Sequence, residues 1–276
     1  MTVISATGED VGVADPFDFP MAVDAPTRPR ALSYVGRWGR ARRWLGADVR
    51  RVLDIGCSFG YGSAAVAAGG FATRPARVVV GVERDRDHLA MAARRFPWIP
   101  ILDADATALP IPDGCADAVL LLDVIEHIAR PELVLDEAQR VLRPGGTVVV
   151  SVPHHSPMSW LDALNLYSSL RRRYPSLPPL EPATESDGGP HRHYTASELT
   201  ELLASRFSVD AVARTGLGLQ ELVALGAAVI RVGLRAPRLA RLLGPLHLLA
   251  YIVDDLLPTG PLAYHLAVRA RAPRAA

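Results

Sequence analysis

The sequence predicts an α/β fold, a doubly wound and mostly parallel sheet, on three observations. From Arg51 to Val152, short apolar runs alternate with segments of helical period, the pitch of βαβ units with right-handed crossovers. Val78–Val80 and Val148–Val150 are apolar without interruption, as strands covered on both faces are. Glycines and acids gather just after these runs, at the strand ends where open α/β sheets bind ligands.

Each element can be justified in order. Residues 1–29 hold scattered aromatics and prolines without periodicity and read as a flexible lead-in to one domain over 30–276. Between Arg30 and Leu45, apolar Leu32, Val35, Trp38 and Leu45 are interspersed with arginines in an amphipathic helical pattern. Arg51–Ile55 is the first strand, followed by a glycine-rich turn, the small-residue helix Ser63–Ala68 and a surface loop at Ala68–Ala76. Val78–Val82 is the second strand, Asp85–Phe96 a helix, the flanks of Ile101-Leu102 the third strand and Ala118–Leu122 the fourth. The helix Pro131–Leu142 ends at Arg143-Pro-Gly-Gly146, where proline cannot continue it, and Thr147–Val152 is the fifth strand.

Residues 171–193 are rich in Arg, Pro, Ser and Gly and read as a long loop. Thr195-Ala-Ser-Glu198 has the form of a capping box opening a helix through Ala204. Phe207–Ala213 and Ala263–Arg269 have strand character, separated by the apolar helical stretches Leu217–Leu234 and Leu239–Leu257 within a 215–260 insertion.

Composition narrows the function. The chain has 276 residues, 49% of them apolar, with a formal charge of +1, enough for a full core but without the basic excess of a nucleic-acid binder. All basic residues are arginine, which reads as genomic base composition. Cys57 and Cys115 have neither metal-ligand spacing nor enough partners for a disulfide framework. The first 30 residues lack the apolar core of a secretion signal, so a cytoplasmic location is expected. Glu221, Arg231, His247, Asp254 and Asp255 interrupt the two C-terminal apolar stretches, so neither reads as a spanning helix.

Four places carry the chemistry. Asp54-Ile-Gly56-Cys-Ser58-Phe-Gly60 lets backbone pass close to a ligand and points the next helix's free N–H groups at it. Glu83, closing the second strand, is placed to accept hydrogen bonds from two ribose hydroxyls. Asp105-Ala106 follows the third strand, where an acid and a backbone N–H read an adenine edge, and Asp123 closes the fourth.

Together, Val52–Cys57, Val80–Glu83, Asp105-Ala106 with Leu109-Pro110, Asp123-Val-Ile-Glu-His127 and Val141–Gly146 resemble the class I S-adenosylmethionine-dependent methyltransferase superfamily. Within it, the chain is most similar to the broad group that includes the ubiquinone-biosynthesis O-methyltransferases. The resemblance is dense over residues 50–155, with a weaker echo at His193-Tyr-Thr195 and Glu198-Leu199. It implies seven strands, the last antiparallel, and S-adenosylmethionine as cofactor. It further implies that Gly56, Ser58 and Gly60 line the methionine part, that Glu83 binds the ribose, and that Asp54 belongs to the same cofactor-binding set. Asp105 and Ala106 take the adenine, and Asp123 lies near the methionyl end. Ser58 departs from the glycine usual in the family. The N-terminal helix, with Tyr34, Arg37 and Arg40, reads as a cap over the cofactor, with a solvated basic face as the fuller account of most of its arginines, and 156–194 reads as an acceptor-side segment.

A methyl donor that is already activated needs alignment and shielding more than a catalytic triad. His127, His154 and His155 are the candidate bases, and no metal site is expected from His154, His155, His191 and His193. The expected reaction is methyl transfer to a small-molecule or lipid-like acceptor, most readily at oxygen. A nicotinamide dehydrogenase fits less well, because the glycine spacing from Gly56 is not G-x-G-x-x-G, and a non-catalytic cofactor-binding member is the other alternative. Asp123-Val-Ile-Glu126 also lacks the Pro-Pro-aromatic pattern of nucleic-acid amino-methyltransferases. The 215–260 insertion reads as a lid, a homodimer interface or a peripheral membrane contact.

Overall fold

The computed structural model describes residues 2–4, 10–12, 15–18, 36–67, 78–174 and 192–274. Expectations for the helical pattern before Gly36 with Tyr34, for the Ala68–Ala76 loop and for His191 lie outside the described residues.

Five parallel strands form the centre: β3 (Arg51–Ile55), β4 (Val78–Glu83), β5 (Ile101–Asp103), β6 (Ala116–Leu122) and β7 (Leu142–Pro153). Beyond β7, β9 (His265–Arg271) is inserted antiparallel between β7 and β8 (Ser208–Thr215). The expected seven strands, with the last one antiparallel, are all present. Two more extend the other edge, where β1 (Thr2–Ile4) and β2 (Asp10–Gly12) form a hairpin whose Val3 pairs with Leu102 of β5. The full order is β2-β1-β5-β4-β3-β6-β7-β9-β8. The hairpin falls inside the stretch read as a lead-in, because three-residue strands are too short to show a period.

Alternation within the strands supplies both faces of the core. Val52, Val79, Leu120 and Val149 pack under α1 (Gly36–Trp44), α2 (Tyr61–Ala67) and α3 (Arg86–Arg95). Their neighbours Leu53, Val80, Leu121 and Val150 pack under α4 (Pro131–Val141) and, with β9, under α6 (Ala196–Ala204). Asp85 caps α3 by accepting from the N–H groups of Asp87 and His88, and the Thr195–Glu198 capping box opens α6 as expected.

Two local readings change. The Arg143-Pro-Gly-Gly146 turn lies within β7, because Leu142 already pairs with Ala116 while Thr147 pairs with Ala118. The intervening residues bulge out, with Gly145 at φ 74°, a left-handed conformation that glycine adopts without strain. Residues 171–173 of the expected loop are helical, because α5 (Ala163–Arg173), capped by the Asp162 carboxylate, runs through them, and residues 175–191 lie outside the described residues.

Between β8 and β9 lie α7 (Leu219–Ala228), a single π turn at Val229–Gly233, α8 (Pro237–Arg241) and α9 (Gly244–Leu256). α7 packs on α9, and α9 packs on α1. No helix among the described residues is long and apolar enough to cross a membrane.

One polar link is buried between strand and helix: the Ser63 hydroxyl of α2 donates to Asp54 of β3 at 2.6 Å. Burial pushes the Asp54 carboxyl up to about 6, against the opposing effects of the Ser63 bond and Arg37. The unfolded chain releases this proton in the ordinary carboxylate range, whereas the folded chain holds it until about pH 6. Stability from this group is therefore present at low pH and lost as pH rises through that interval, by about 3 kcal/mol. Urea midpoints measured from pH 4 to 7 should fall less steeply in Asp54→Asn than in the parent; equal slopes would refute the assignment. In the core, Leu121→Ala should cost about 2–5 kcal/mol in the same unfolding assay, while Val212→Ala on the exposed face of β8 should stay within about 0.5 kcal/mol.

Candidate functional site

The carboxyl ends of β3, β4, β5 and β6 open onto one cleft of about 1430 Å³. Asp54, Gly56, Ser58, Glu83, Asp105, Ala106, Asp123 and His127 all line it. The glycine turn is built by backbone contact with the neighbouring strand, since Gly56 and Cys57 both donate to the Val82 carbonyl, at 2.8 and 3.0 Å. Gly56 sits at φ 72°, and a Cβ there would lie 2.6 Å from the Val124 side chain. Ser58 takes a left-handed φ of 49° in the same turn. Gly60 shapes the turn through an N–H to the Cys57 carbonyl at 2.9 Å but is not among the cleft-lining residues.

Glu83 ties this turn to β4. One carboxylate oxygen accepts the Ser58 N–H at 2.9 Å; the other accepts from Arg84 and Asp85 at 2.9 and 3.0 Å. The oxygen bonded to Ser58 alone retains a free lone pair for a further donor in the cleft, whereas the other is filled by its two N–H groups. Asp105 accepts from both the backbone and the hydroxyl of Thr107, at 2.8 and 2.7 Å, and these bonds hold its carboxyl below the usual range.

Asp123 occupies an unusual backbone position, φ 57° at a non-glycine residue. Its carboxylate accepts from the Ser151 hydroxyl at 2.7 Å and forms an ion pair with Arg37 of α1. Arg37 thus reaches the cleft, whereas Arg40 turns away to bind Asp255 of α9 at 2.9 Å. Between turn and α3, His88 places its ring 4.2 Å from Phe59 and its Nδ1 3.4 Å from the Ser58 hydroxyl. Its buried Nε2 has no hydrogen-bond partner among the described residues and belongs to the cleft lining.

This donor set suits S-adenosylmethionine. Gly56 lets the turn pass against Val124 while lining the cleft, Glu83 offers an acceptor for a hydroxyl, and acids and a guanidinium meet at the end where a zwitterionic amino acid must sit.

The opposite wall comes from far along the chain. Gln220 and Glu221 of α7, His247 of α9, Tyr264 and His265 line it. Because β9 is antiparallel, its first residue lies at the carboxyl edge of the parallel strands, with His265 opposite Pro153. The Gln220 side-chain nitrogen lies 3.2 Å from the His265 Nε2, and burial keeps His265 below its ordinary pKa. None of these residues was marked by a local motif; the one available sign was a histidine heading the apolar run Leu266-Ala-Val268 of the terminal strand.

The histidines after β7 are placed differently. His154 is buried with its Nδ1 2.9 Å from the Ala263 carbonyl, His155 is exposed, and neither lines the cleft. His193 contacts Asp162 at 2.9 Å, bracing the start of α5. His127, half-buried in the turn after β6, does face the cleft.

Residues 53–150 match the methyltransferase domain family. A Mycolicibacterium smegmatis protein named "Probable S-adenosylmethionine-dependent methyltransferase" is 36% identical over 119 residues, 43% of this chain and 43% of that protein. The demethylmenaquinone methyltransferase of Streptomyces avermitilis is 28% identical over 138 residues, 50% of this chain and 55% of that one. The chain thus spans about half or less of the length of these relatives. A SAM-dependent methyltransferase structure from Thermotoga maritima shares the fold, with a TM-score of 0.54 at 17% identity, covering 85% of this chain and 87% of that one. The matched residues run from β3 through β7, the strands whose ends form the cleft, so that part of the chain carries the methyltransferase domain.

Proposed function

We propose that this chain transfers a methyl group from S-adenosylmethionine to oxygen of a small-molecule or lipid-like acceptor. The observation that supports it most directly is Glu83, fixed by three backbone N–H groups yet lining the cleft beside the Gly56 turn. In this reading Glu83 holds the ribose, Asp105 and Ala106 the adenine edge, and Gly56 and Ser58 the methionine portion, while Gly60 sets the turn. Asp54, Asp123 and Arg37 balance the charges of the amino-acid end.

The cofactor supplies a methyl carbon already activated by a sulfonium. What remains for the protein is to align an acceptor and exclude water. The cleft, at about 1430 Å³, exceeds the usual span of small-ligand pockets and leaves room for a second substrate. Among the histidines, His127 and His265 stand in the lining. His127 is the base candidate of the two; His265 is held neutral by burial, and because an amide nitrogen only donates, Gln220 occupies its Nε2 lone pair and leaves Nδ1–H to hold the acceptor. His154 is better placed to position Ala263, next to Tyr264 in the opposite wall. An apolar acceptor accords with the leucine-rich insertion and with relatives named demethylmenaquinone methyltransferase.

Calorimetric titration should show saturable binding of S-adenosylmethionine and S-adenosylhomocysteine but not NAD. Glu83→Ala should weaken both roughly 10–100-fold, the worth of a hydrogen bond to a charged group. Absence of binding by the parent protein, or equal binding of NAD, would overturn the reading. With methyl-labelled cofactor and a lipid extract, His265→Gln should lower label in the organic phase at least about tenfold. Its S-adenosylhomocysteine affinity should stay within about twofold; unchanged labelling would remove His265 from the acceptor chemistry.

A further inference from the structure

We propose that the outer face of the α7–α9 insertion docks on an anionic lipid bilayer. The inference gives a location and a partner to the lipid-like acceptor proposed above, but the surface exists whether or not the cleft transfers methyl groups.

Burial along α9 is inverted. Asp254 and Asp255 are buried, whereas Leu246, Leu249 and Leu256, which follow one helical stripe, are 49%, 56% and 65% exposed. The acids have partners inside the fold that account for this. Asp254 accepts the N–H groups of Leu217 and Gln220 at 2.8 and 2.9 Å, at the start of α7, and Asp255 binds Arg40. With its polar side turned inward, α9 presents leucines to the outside. Leu242 before it and Leu234 after the π turn, 72% and 67% exposed, continue the same apolar surface.

Charge selects the occupant. From Leu222 to Val253 there is no acidic residue, while Arg231, Arg235, Arg238 and Arg241 all fall in that span and are exposed. Leucines bounded by arginines, on helices too short to span a bilayer, suit insertion at the headgroup boundary with the guanidinium groups on lipid phosphates. A second copy of the chain fits less well, because a twofold contact through this face would bring the same arginines against each other. Docking in this way also sets the cleft near the bilayer, since α7 contributes Gln220 and Glu221, and α9 contributes His247, to its wall.

Co-sedimentation with phosphatidylcholine vesicles, with and without 30% phosphatidylglycerol, tests the proposal at low and high salt. The parent protein should bind the anionic vesicles at low salt and be released substantially at high salt. Replacing Arg235, Arg238 and Arg241 by Gln should lower partitioning on the order of a hundredfold, from the usual contribution of each basic residue near a charged membrane. Leu242→Ser with Leu246→Ser and Leu249→Ser should also weaken binding, with melting temperature and S-adenosylhomocysteine affinity reporting that the fold is retained. Equal, low sedimentation with neutral and anionic vesicles at low salt would overturn the proposal. So would a dimer, seen by light scattering, that dissociates on the leucine substitutions while vesicles bind nothing. Loss of cofactor binding, measured without vesicles, would instead count against the methyl-transfer reading alone.

Discussion

The central strands are apolar on both faces, and the rest of the molecule follows from that constraint. Val52 and Leu53, Val79 and Val80, Leu120 and Leu121, and Val149 and Val150 leave no room for a solvated side chain within the sheet. Polar groups are displaced to the strand ends, and the shared direction of β3 to β6 brings those ends together. Glu83 is the last residue of β4 and Asp123 the first after β6, where the chain leaves the two apolar layers. The one buried carboxyl within β3, Asp54, is tolerated only next to the Ser63 hydroxyl, and its raised pKa records the cost of that burial.

The antiparallel β9 solves a different problem. Parallel strands send only their carboxyl ends to the cleft, so one side would otherwise be unlined. Reversing one strand brings the beginning of a strand to the same edge, and Tyr264 and His265 enter the cleft from there. α7 and α9 then lie over that edge, tied to α1 through Arg40 and Asp255. The two walls of the cleft are thus made by opposite chain directions within a single sheet.

This asymmetry explains what could be read from the sequence. The wall at the ends of the parallel strands was legible because most of its residues lie within a few positions of a strand end, as Asp54, Gly56, Ser58, Glu83, Asp105-Ala106 and Asp123 do. The opposite wall was not, because Gln220 and His265 meet only through the β7–β9 register and the packing of α7, neither of which leaves a local mark. His154 illustrates the same limit: its place after β7 was legible, but the turn of its ring toward Ala263 depends on the neighbouring strand. The β1–β2 hairpin was hidden by its short strands, and the start of α5 by the Arg- and Pro-rich stretch that follows it.

Ser58 has a consequence for how the cleft meets a ligand. A left-handed serine costs on the order of 1 kcal/mol relative to glycine, so the turn persists only if its surroundings over-determine it. They do so through its N–H on Glu83 and its hydroxyl near His88, joining the turn, the end of β4 and α3. The loop nearest the ligand is therefore stiff before anything binds. Little conformational entropy remains to be lost there on binding, and selectivity at this wall comes from rejection of ligands that do not match a fixed shape.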